Sequence, residues 1–318
     1  MNLRVIAAAA GAAVVAAAGA TVGLVHLVTT TVPPAPTDWT SVFSDSFSGP
    51  AGSTVDSQWE FDDVDGTSNG SVQAYDTATA NLAEDGSGHL DITPVKSGDS
   101  WTSSQVATVA DDFAAPAGGA MEVSASIEQP DPVDGQGYWP AFWMLGADER
   151  THGGEVWPAD GEIDVLESNN AQSQNDNTFW YCAAGSETKC SSDADLSSGL
   201  YSAPRSQTSF DTYSVIIDRE TSNETITWYL NGTQTYQVSE SQVGTSQWHT
   251  AVDHGFYLIL DVAIGGSFPG SPNGSTRSGA AMRIDKVAVY TTTGATPSPG
   301  VSAAPTPTEN ASPSGAGG

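Results

Sequence analysis

Hydrophobic and polar residues alternate along the middle of the chain. The segment Phe256–Ile264 shows this most clearly, because every second residue is a large apolar one. Side chains of a β-strand point alternately to the two faces of a sheet, so this alternation predicts strands rather than helices. Shorter runs predict further strands at residues 90–93, 105–109, 121–127, 213–217 and 287–293.

A β-hairpin is predicted over residues 225–238. Two runs rich in β-branched and aromatic residues flank Asn231-Gly232, a dipeptide that favours a type I′ turn. Amphipathic helical patterns are essentially missing after residue 37. Many short strands separated by turn signals predict an all-β fold, either a β-sandwich or a jelly roll.

The chain begins with a segment typical of exported proteins. One positive charge within the first four residues precedes the apolar residues 5–28. Their length suits either a cleaved signal peptide or a membrane anchor, which needs about 20 residues. Small residues at 16–20 offer cleavage sites and slightly favour the signal peptide. We therefore expect a secreted protein, or one anchored to the outer face of the membrane by residues 5–28.

Composition divides the chain into three parts. Residues 1–37 hold the export segment and a proline-rich spacer. Residues 38–293 are predicted to form one folded domain. Residues 294–318 are rich in Pro, Ser, Ala and Gly, with too little apolar surface to fold, and we expect them to be disordered.

Charge and cysteine content exclude several classes of protein. Nine Lys and Arg against 38 Asp and Glu give a net charge of −29, which leaves no basic patch for nucleic acid and repels anionic membranes or sulfated polymers. We read this acidity as an adaptation for solubility. The two cysteines are too few for a disulfide-rich scaffold or a Cys-type zinc finger. Since an exported chain meets an oxidising compartment, we expect a Cys182–Cys190 disulfide.

Three carboxylates are concentrated within one predicted strand. Alternation places Glu162 and Asp164 on one face, but it would turn Glu167 toward the core as an unpaired charge. A β-bulge at Val165-Leu166 adds one residue and returns Glu167 to the acidic face. The sequence therefore predicts a bulged strand with three acids in a row.

Such a row suits acid–base chemistry. Crowding raises the pKa of at least one carboxyl group, so that one acid keeps its proton while another is ionised. Retaining glycoside hydrolysis needs this pair of states. Two alternatives stay open for the segment alone, a solvated acidic strand face and a calcium cluster.

Tryptophans near the acids are candidates for stacking on sugar rings. Alternation places Trp139 and Trp143 on one face of a predicted strand, and Trp157 lies five residues before Glu162. Core packing is the alternative for each of them. We expect these three tryptophans to line the substrate site.

The segments 137–145, 157–167 and 257–266 together resemble glycoside hydrolase family 16, the laminarinase-like β-glucanases. The E-x-D-x-x-E spacing resembles the bulged form of the family signature. The resemblance implies a concanavalin A-like β-sandwich jelly roll with a carbohydrate cleft on its concave sheet. It also implies that Glu162 is the nucleophile, Asp164 its electrostatic partner and Glu167 the acid/base, with no cofactor for catalysis.

The resemblance extends to a structural calcium ion, held by Asp285 and by backbone carbonyls near Ser46 and Gly88. The chain also departs from the family pattern. Tyr181 stands where a His is usual, and Asp261 stands where an Asn is usual. Both residues are expected to contact substrate, and their identities put the substrate in doubt.

We predict an exported, monomeric endo-β-glucanase that cleaves β-1,3-glucan or mixed β-1,3-1,4-glucan with retention. Its partner is a polysaccharide, not a nucleic acid, and any membrane contact is through the N-terminal anchor. A transglycosylase or a galactan-directed hydrolase on the same scaffold is the alternative among enzymes. A non-catalytic, lectin-like glucan-binding protein is the alternative outside them, although a pure binder would not need crowded acids.

Overall fold

The computed structural model describes residues 39–62, 69–152, 155–186 and 189–292, with two short strands near the N-terminus. Most of the predicted export segment, the spacer and the C-terminal tail lie outside the described residues. Among the described residues, no helix is long and apolar enough to cross a bilayer.

The strands follow one another along the chain with few helices between them. In chain order the strands are β1 Ile6–Ala7, β2 Ala12–Ala13, β3 Trp39–Asp45, β4 Trp59–Phe61, β5 Gln73–Tyr75, β6 Leu82–Glu84, β7 Leu90–Ile92, β8 Val95–Ser97, β9 Ser100–Ser103, β10 Gln105–Thr108, β11 Ala120–Glu128, β12 Tyr138–Gly146, β13 Glu162–Glu167, β14 Gln174–Ser186, β15 Lys189–Ser197, β16 Tyr201–Ser202, β17 Asp211–Asp218, β18 Thr225–Leu230, β19 Thr233–Ser239, β20 Phe256–Ile264 and β21 Met282–Thr292. The helices are α1 Asp148–His152, α2 Glu240–Val243 and α3 Thr245–Val252.

Two large antiparallel sheets form the body of the molecule. The first, which we call the acidic sheet because it contains β13, has the order β15-β14-β13-β12-β20-β10-β4, with β16 paired to β14. The second, the opposing sheet, has the order β19-β18-β17-β11-β21-β7-β6, with β3 paired to β21. This arrangement confirms the predicted all-β jelly-roll sandwich.

The apolar core lies between the two sheets. Side chains such as Phe142 and Leu260 of the acidic sheet and Val123 and Val215 of the opposing sheet are fully buried in one cluster. The indole Nε1 of Trp228 in β18 donates to a backbone carbonyl of β13 at 2.8 Å. The opposing sheet therefore supports the strand that carries the acids.

Most predicted strands appear near their expected bounds. Phe256–Ile264 is β20, and all nine of its residues are buried because it lies in the middle of the acidic sheet. Asn231 and Gly232 join β18 to β19 with φ values of 51° and 73°, as a type I′ turn requires.

The expectation that helices are missing after residue 37 is wrong in detail. Helix α3 buries Trp248, Ala251 and Val252, which are spaced three and four residues apart on one helix face. An eight-residue helix shows this spacing only once, so it does not produce a long amphipathic pattern.

Candidate functional site

Strand β13 carries one more residue than the neighbouring strand can pair. Along β12, Trp143 lies opposite Asp164, and the adjacent Phe142 lies opposite Leu166. Val165 therefore has no partner on β12, and the register against β14 shifts over the same segment. The predicted β-bulge is confirmed at this position.

The bulge places the three acids on one face. The apolar residues between them point into the core and are at most 1% exposed: Ile163, Val165 and Leu166. Glu162, Asp164 and Glu167 occupy the outer face of the acidic sheet, which we call the acidic face. Two consecutive core-facing residues are possible only because the bulge shifts the alternation by one.

Both outer glutamates accept hydrogen bonds from tryptophan indoles. Trp157 Nε1 donates to Glu162 Oε2 at 2.8 Å, and Trp139 Nε1 donates to Glu167 Oε1 at 2.8 Å. These donors are neutral. Within the described residues, no Lys, Arg or His forms an ion pair with either glutamate.

Burial without a positive partner raises the pKa of all three acids. Burial, together with the charge of Glu149, raises the pKa of Glu162 to about 7. Burial, together with neighbouring carboxylates, raises the pKa of Glu167 to about 8. The pKa of Asp164 is raised well above its usual range by burial and by the charges of both glutamates. Both the ionised and the protonated form of a glutamate in this row are therefore accessible near neutral pH.

Asp261 lies on the same face, one strand further along. It is opposite Ala141 of β12, which is itself opposite Glu167. Trp143 Nε1 donates to one carboxyl oxygen of Asp261 at 2.9 Å, and the Tyr75 hydroxyl donates to the other at 2.8 Å. Burial raises the pKa of Asp261 to about 7. Asp261 thus adjoins the row of acids, with each of its oxygens held by a protein donor.

The structure corrects the prediction for Tyr181. Its ring stacks on the fully buried Phe179 at 5.7 Å and packs against the core, away from the acids. The adjacent Trp180 lies opposite Glu162, and its side chain hydrogen-bonds Asp164. Because successive residues of a strand point to opposite faces, a one-residue error in the assignment exchanges the exposed ring for a buried one.

The predicted tryptophans differ in their surroundings. Trp157 is 37% exposed, and its ring lies 5.7 Å from that of Trp180, so the two form an open aromatic wall beside Glu162. Trp139 packs against Phe268 at 5.6 Å near Glu167. Trp143, in contrast, packs in a small apolar cluster on the acidic sheet. Trp143 nevertheless lies opposite Asp164, and its indole donates to Asp261, so it also belongs to the acidic face.

The close approach of Trp139 needs a glycine. A Cβ atom on Gly266 would lie 2.7 Å from the indole, and φ at this residue is +108°. Both facts exclude a larger residue without displacement of the ring.

Comparisons with known proteins agree with this geometry. Residues 130–248 match the family model described as "XgeA-like, catalytic GH16 domain". The crystal structure of an endo-1,3-beta-glucanase from Streptomyces sioyaensis is 35% identical and superposes with a TM-score of 0.74, over 82% of this chain and 99% of that one. The chain belongs to glycoside hydrolase family 16. The resemblance seen in the sequence is confirmed.

Curated members of the family match over shorter segments of the chain. A glucan endo-1,3-beta-glucosidase A1 from Niallia circulans is 33% identical over 165 residues, 49% of this chain. A keratan-sulfate endo-1,4-beta-galactosidase from Sphingobacterium multivorum is 34% identical over 173 residues, 54% of this chain. The matched part spans only 22% and 36% of these two relatives.

The three residues expected to bind calcium are Asp285, Ser46 and Gly88, and they lie in one region in or beside the opposing sheet. The register between β11 and β21 skips Asp285, whose side chain is exposed. Two residues later, Val287 lies opposite Asp45, the residue before Ser46. The Ser46 carbonyl oxygen lies 3.8 Å from where a Cβ on Gly88 would be. A carboxylate and carbonyl oxygens are donors that suit calcium.

The two cysteines are joined. The Cys182–Cys190 disulfide links β14 to β15 at the edge of the acidic sheet, with Cα atoms 5.5 Å apart.

Sequence reasoning missed several residues of the acidic face, among them Asp176, which lies opposite Glu167. Tyr75 reaches Asp261 from 186 positions away in the chain, and no local pattern marks it. Trp180 carries a usable signal, since it shares the alternation of β14 with Thr178, which lies opposite Asp164.

Proposed function

We propose that this chain is an exported, retaining endo-β-glucanase that hydrolyses β-1,3-glucan or mixed β-1,3-1,4-glucan. The observation that carries the proposal is the row of three acids on one face, with Asp164 buried and both glutamates partly buried, with neutral donors and raised pKa values. The glucanases among its relatives support the substrate class.

The two glutamates divide the work of a double displacement. Glu162, in its ionised form, attacks the anomeric carbon, while Glu167 donates its proton to the departing glycosidic oxygen. The resulting ester joins the sugar to Glu162. Glu167, now a carboxylate, takes a proton from a water molecule, whose oxygen attacks the same carbon and releases Glu162.

Asp164 lies between the two glutamates and takes no covalent part. Burial and the charges of both glutamates raise its pKa well above the usual range, which favours the protonated form. A protonated carboxyl group can donate a hydrogen bond to an ionised neighbour, which an ionised one cannot do. We infer that Asp164 acts as such a donor to Glu162 before attack and after release.

The acidic face favours a neutral polysaccharide over a sulfated one. On β15, Asp195 lies opposite Trp180 and Asp193 lies opposite Cys182, and both aspartates are exposed. Residues directly opposite each other share a face, so Asp195 continues the acids to the sheet edge. A sulfated chain lying along this face would meet like charge, whereas a glucan would not.

Three further properties belong to the proposal. The apolar residues 5–28 support export, and the net charge of −29 supports a monomer, because like-charged copies repel each other. The oxygen donors at Asp285, Ser46 and Gly88 support a structural calcium ion.

A panel of polysaccharides tests the proposal. We expect new reducing ends from laminarin or lichenan, with the β-anomer appearing first by proton NMR, and little from keratan sulfate, agarose or carrageenan. Cleavage of a galactan in place of glucans would establish the galactan-directed alternative. Products longer than the substrate would indicate a transglycosylase, and glucan binding without new reducing ends would indicate a lectin.

A further inference from the structure

Side chains, rather than the backbone of a neighbouring strand, form hydrogen bonds with the backbone groups of the bulge in β13. The Val165 carbonyl accepts hydrogen bonds from Asn177 Nδ2 at 2.8 Å and from Asn175 Nδ2 at 3.3 Å. The backbone N–H of Glu167 donates to Asn175 Oδ1 at 3.0 Å. One asparagine side chain thus binds the backbone on both sides of Leu166.

These asparagines are buried and their orientations are set by further bonds. Asn175 is 0% exposed and Asn177 is 1% exposed. The Tyr201 hydroxyl accepts from Asn175 Nδ2 at 2.8 Å and donates to Asn177 Oδ1 at 3.0 Å. Thr235 donates to the same Asn177 oxygen at 2.8 Å. Since that oxygen receives two donors, the Asn177 amide nitrogen is directed at the Val165 carbonyl.

The opposing sheet holds the other side of the bulge. Trp228 of β18 is fully buried, and its indole donates to the Asp164 carbonyl at 2.8 Å. The backbone from Asp164 to Glu167 is therefore held by side chains of β14 and β18. In an unbulged strand, backbone ladder bonds would do this.

We propose that Asn175 and Asn177 are positioning residues that aim the acid/base Glu167 at the leaving group. The inference rests on the proposed function of Glu167. Asn175 binds the amide of Glu167 itself, so its loss frees the residue whose side chain must reach the glycosidic oxygen. A displacement of about 1 Å at a reacting group can cost about 100-fold in rate.

If Asn175 had a purely structural role, its substitution would lower stability and would affect all substrates equally. A positioning role predicts a loss that depends on the leaving group, because an acid/base is needed most when the leaving group is a poor one. A sugar hydroxyl needs a proton to depart, whereas a dinitrophenolate departs without one. The comparison of two substrates therefore separates the two roles.

The experiment measures kcat/KM of Asn175→Ala on a glucan oligosaccharide and on a dinitrophenyl β-glycoside of the same sugar. We expect a loss of about 100-fold on the oligosaccharide and less than about 10-fold on the dinitrophenyl substrate. Tyr201→Phe removes only the hydroxyl between the two amides. It should show the same dependence on the leaving group, with a loss of about fivefold in kcat/KM on the oligosaccharide. If Asn175→Ala does not fold, Tyr201→Phe alone provides the test.

Asn81→Ala is the matched control. Asn81 is also buried, at 3% exposed, and its amide donates to the Thr93 carbonyl at 2.9 Å, far from β13 in the sheet order. We expect it to lose stability but to affect both substrates equally. Equal losses on the two substrates in Asn175→Ala and Tyr201→Phe would overturn the proposal.

A second measurement does not depend on activity. Amide hydrogen exchange at Glu167 should accelerate in Asn175→Ala more than exchange at Ile163 of the same strand, and it should stay unchanged in Asn81→Ala. Unchanged Glu167 exchange in Asn175→Ala would overturn the inference. A wild-type protein inactive on both substrates would instead refute the proposed function, and the exchange result would still decide whether Asn175 holds Glu167.

Discussion

A glutamate accepts a hydrogen bond from a tryptophan indole at two separate places in the fold, and the two places differ in the second partner of the glutamate. Beside the opposing sheet, in the segment between β17 and β18, Glu224 accepts from Trp248 Nε1 at 2.8 Å and also from Arg219 Nε at 3.1 Å. On the acidic face, Glu162 accepts from Trp157 at 2.8 Å, and no cation joins it within the described residues. The first glutamate has a cationic partner, whereas the second has only a neutral hydrogen-bond donor.

This difference separates a structural carboxylate from a reactive one. A buried ion pair keeps its charge over a wide pH range, because each partner favours the ionised form of the other. A buried carboxyl group without a cation titrates near neutral pH and can exchange its proton with a substrate. An indole donor is common to both regions, so the absence of the arginine distinguishes them.

The largest expected effect is on activity. Glu162→Gln keeps the volume of the side chain and removes the nucleophile, so kcat on laminarin should fall by more than about 1,000-fold. The melting temperature should stay the same or rise, because a crowded buried acid is lost. Glucan binding measured by affinity electrophoresis should persist. Activity above a small percentage of wild type would show that Glu162 is not the nucleophile.

The next effect is on stability and appears in the other region. Glu224→Gln leaves the mostly buried Arg219 with Asp253, at 2.7 Å, and the Ala115 carbonyl, at 3.2 Å, as partners. We expect a loss of about 2–4 kcal/mol in the free energy of unfolding, measured by urea denaturation, with little change in kcat of the folded protein. If Glu224→Gln and Glu162→Gln lost equal stability, the contrast between the two regions would fail.

The pH dependence of activity should report the two acids on the acidic face. Hydrolysis needs Glu162 ionised and Glu167 protonated, so kcat/KM should fall below about pH 7 and above about pH 8. These limits belong to the coupled row of acids as a whole.

Each indole lowers the pKa of its glutamate, because it stabilises the ionised form. Trp157→Phe should therefore move the acidic limit to higher pH, and Trp139→Phe should move the alkaline limit to higher pH. Identical profiles in wild type and both variants would contradict this assignment.

The smallest effect concerns Asp285, an exposed carboxylate whose expected partner is a calcium ion. Excess chelator should lower the melting temperature of the wild-type protein by a few degrees, since a bound ion stabilises the folded state through mass action. Asp285→Asn should melt near the lower value and respond little to the chelator. A wild-type melt that is unchanged by chelation, with no metal found by elemental analysis, would remove the calcium site.

Much of the site was predictable because it lies within one strand. The bulge at Val165-Leu166 follows from two local facts, the alternation of side chains and the cost of a buried unpaired charge. The assignment of Tyr181 was wrong. Its assignment came from a position in the family pattern, and only the pairing of β14 with β13 shows that Trp180 shares a face with Glu162.

The strands, the hairpin at Asn231-Gly232 and the row of acids follow from the amino-acid sequence, because each depends on residues close together in the chain. The tertiary structure alone decided which side chains surround those acids. Tyr75 reaches Asp261 across 186 positions, and Trp228 reaches the Asp164 carbonyl across 64. Contacts of this range depend on the order and register of strands in two packed sheets, and hydrophobic alternation specifies the face of a residue but not its neighbour on the next strand.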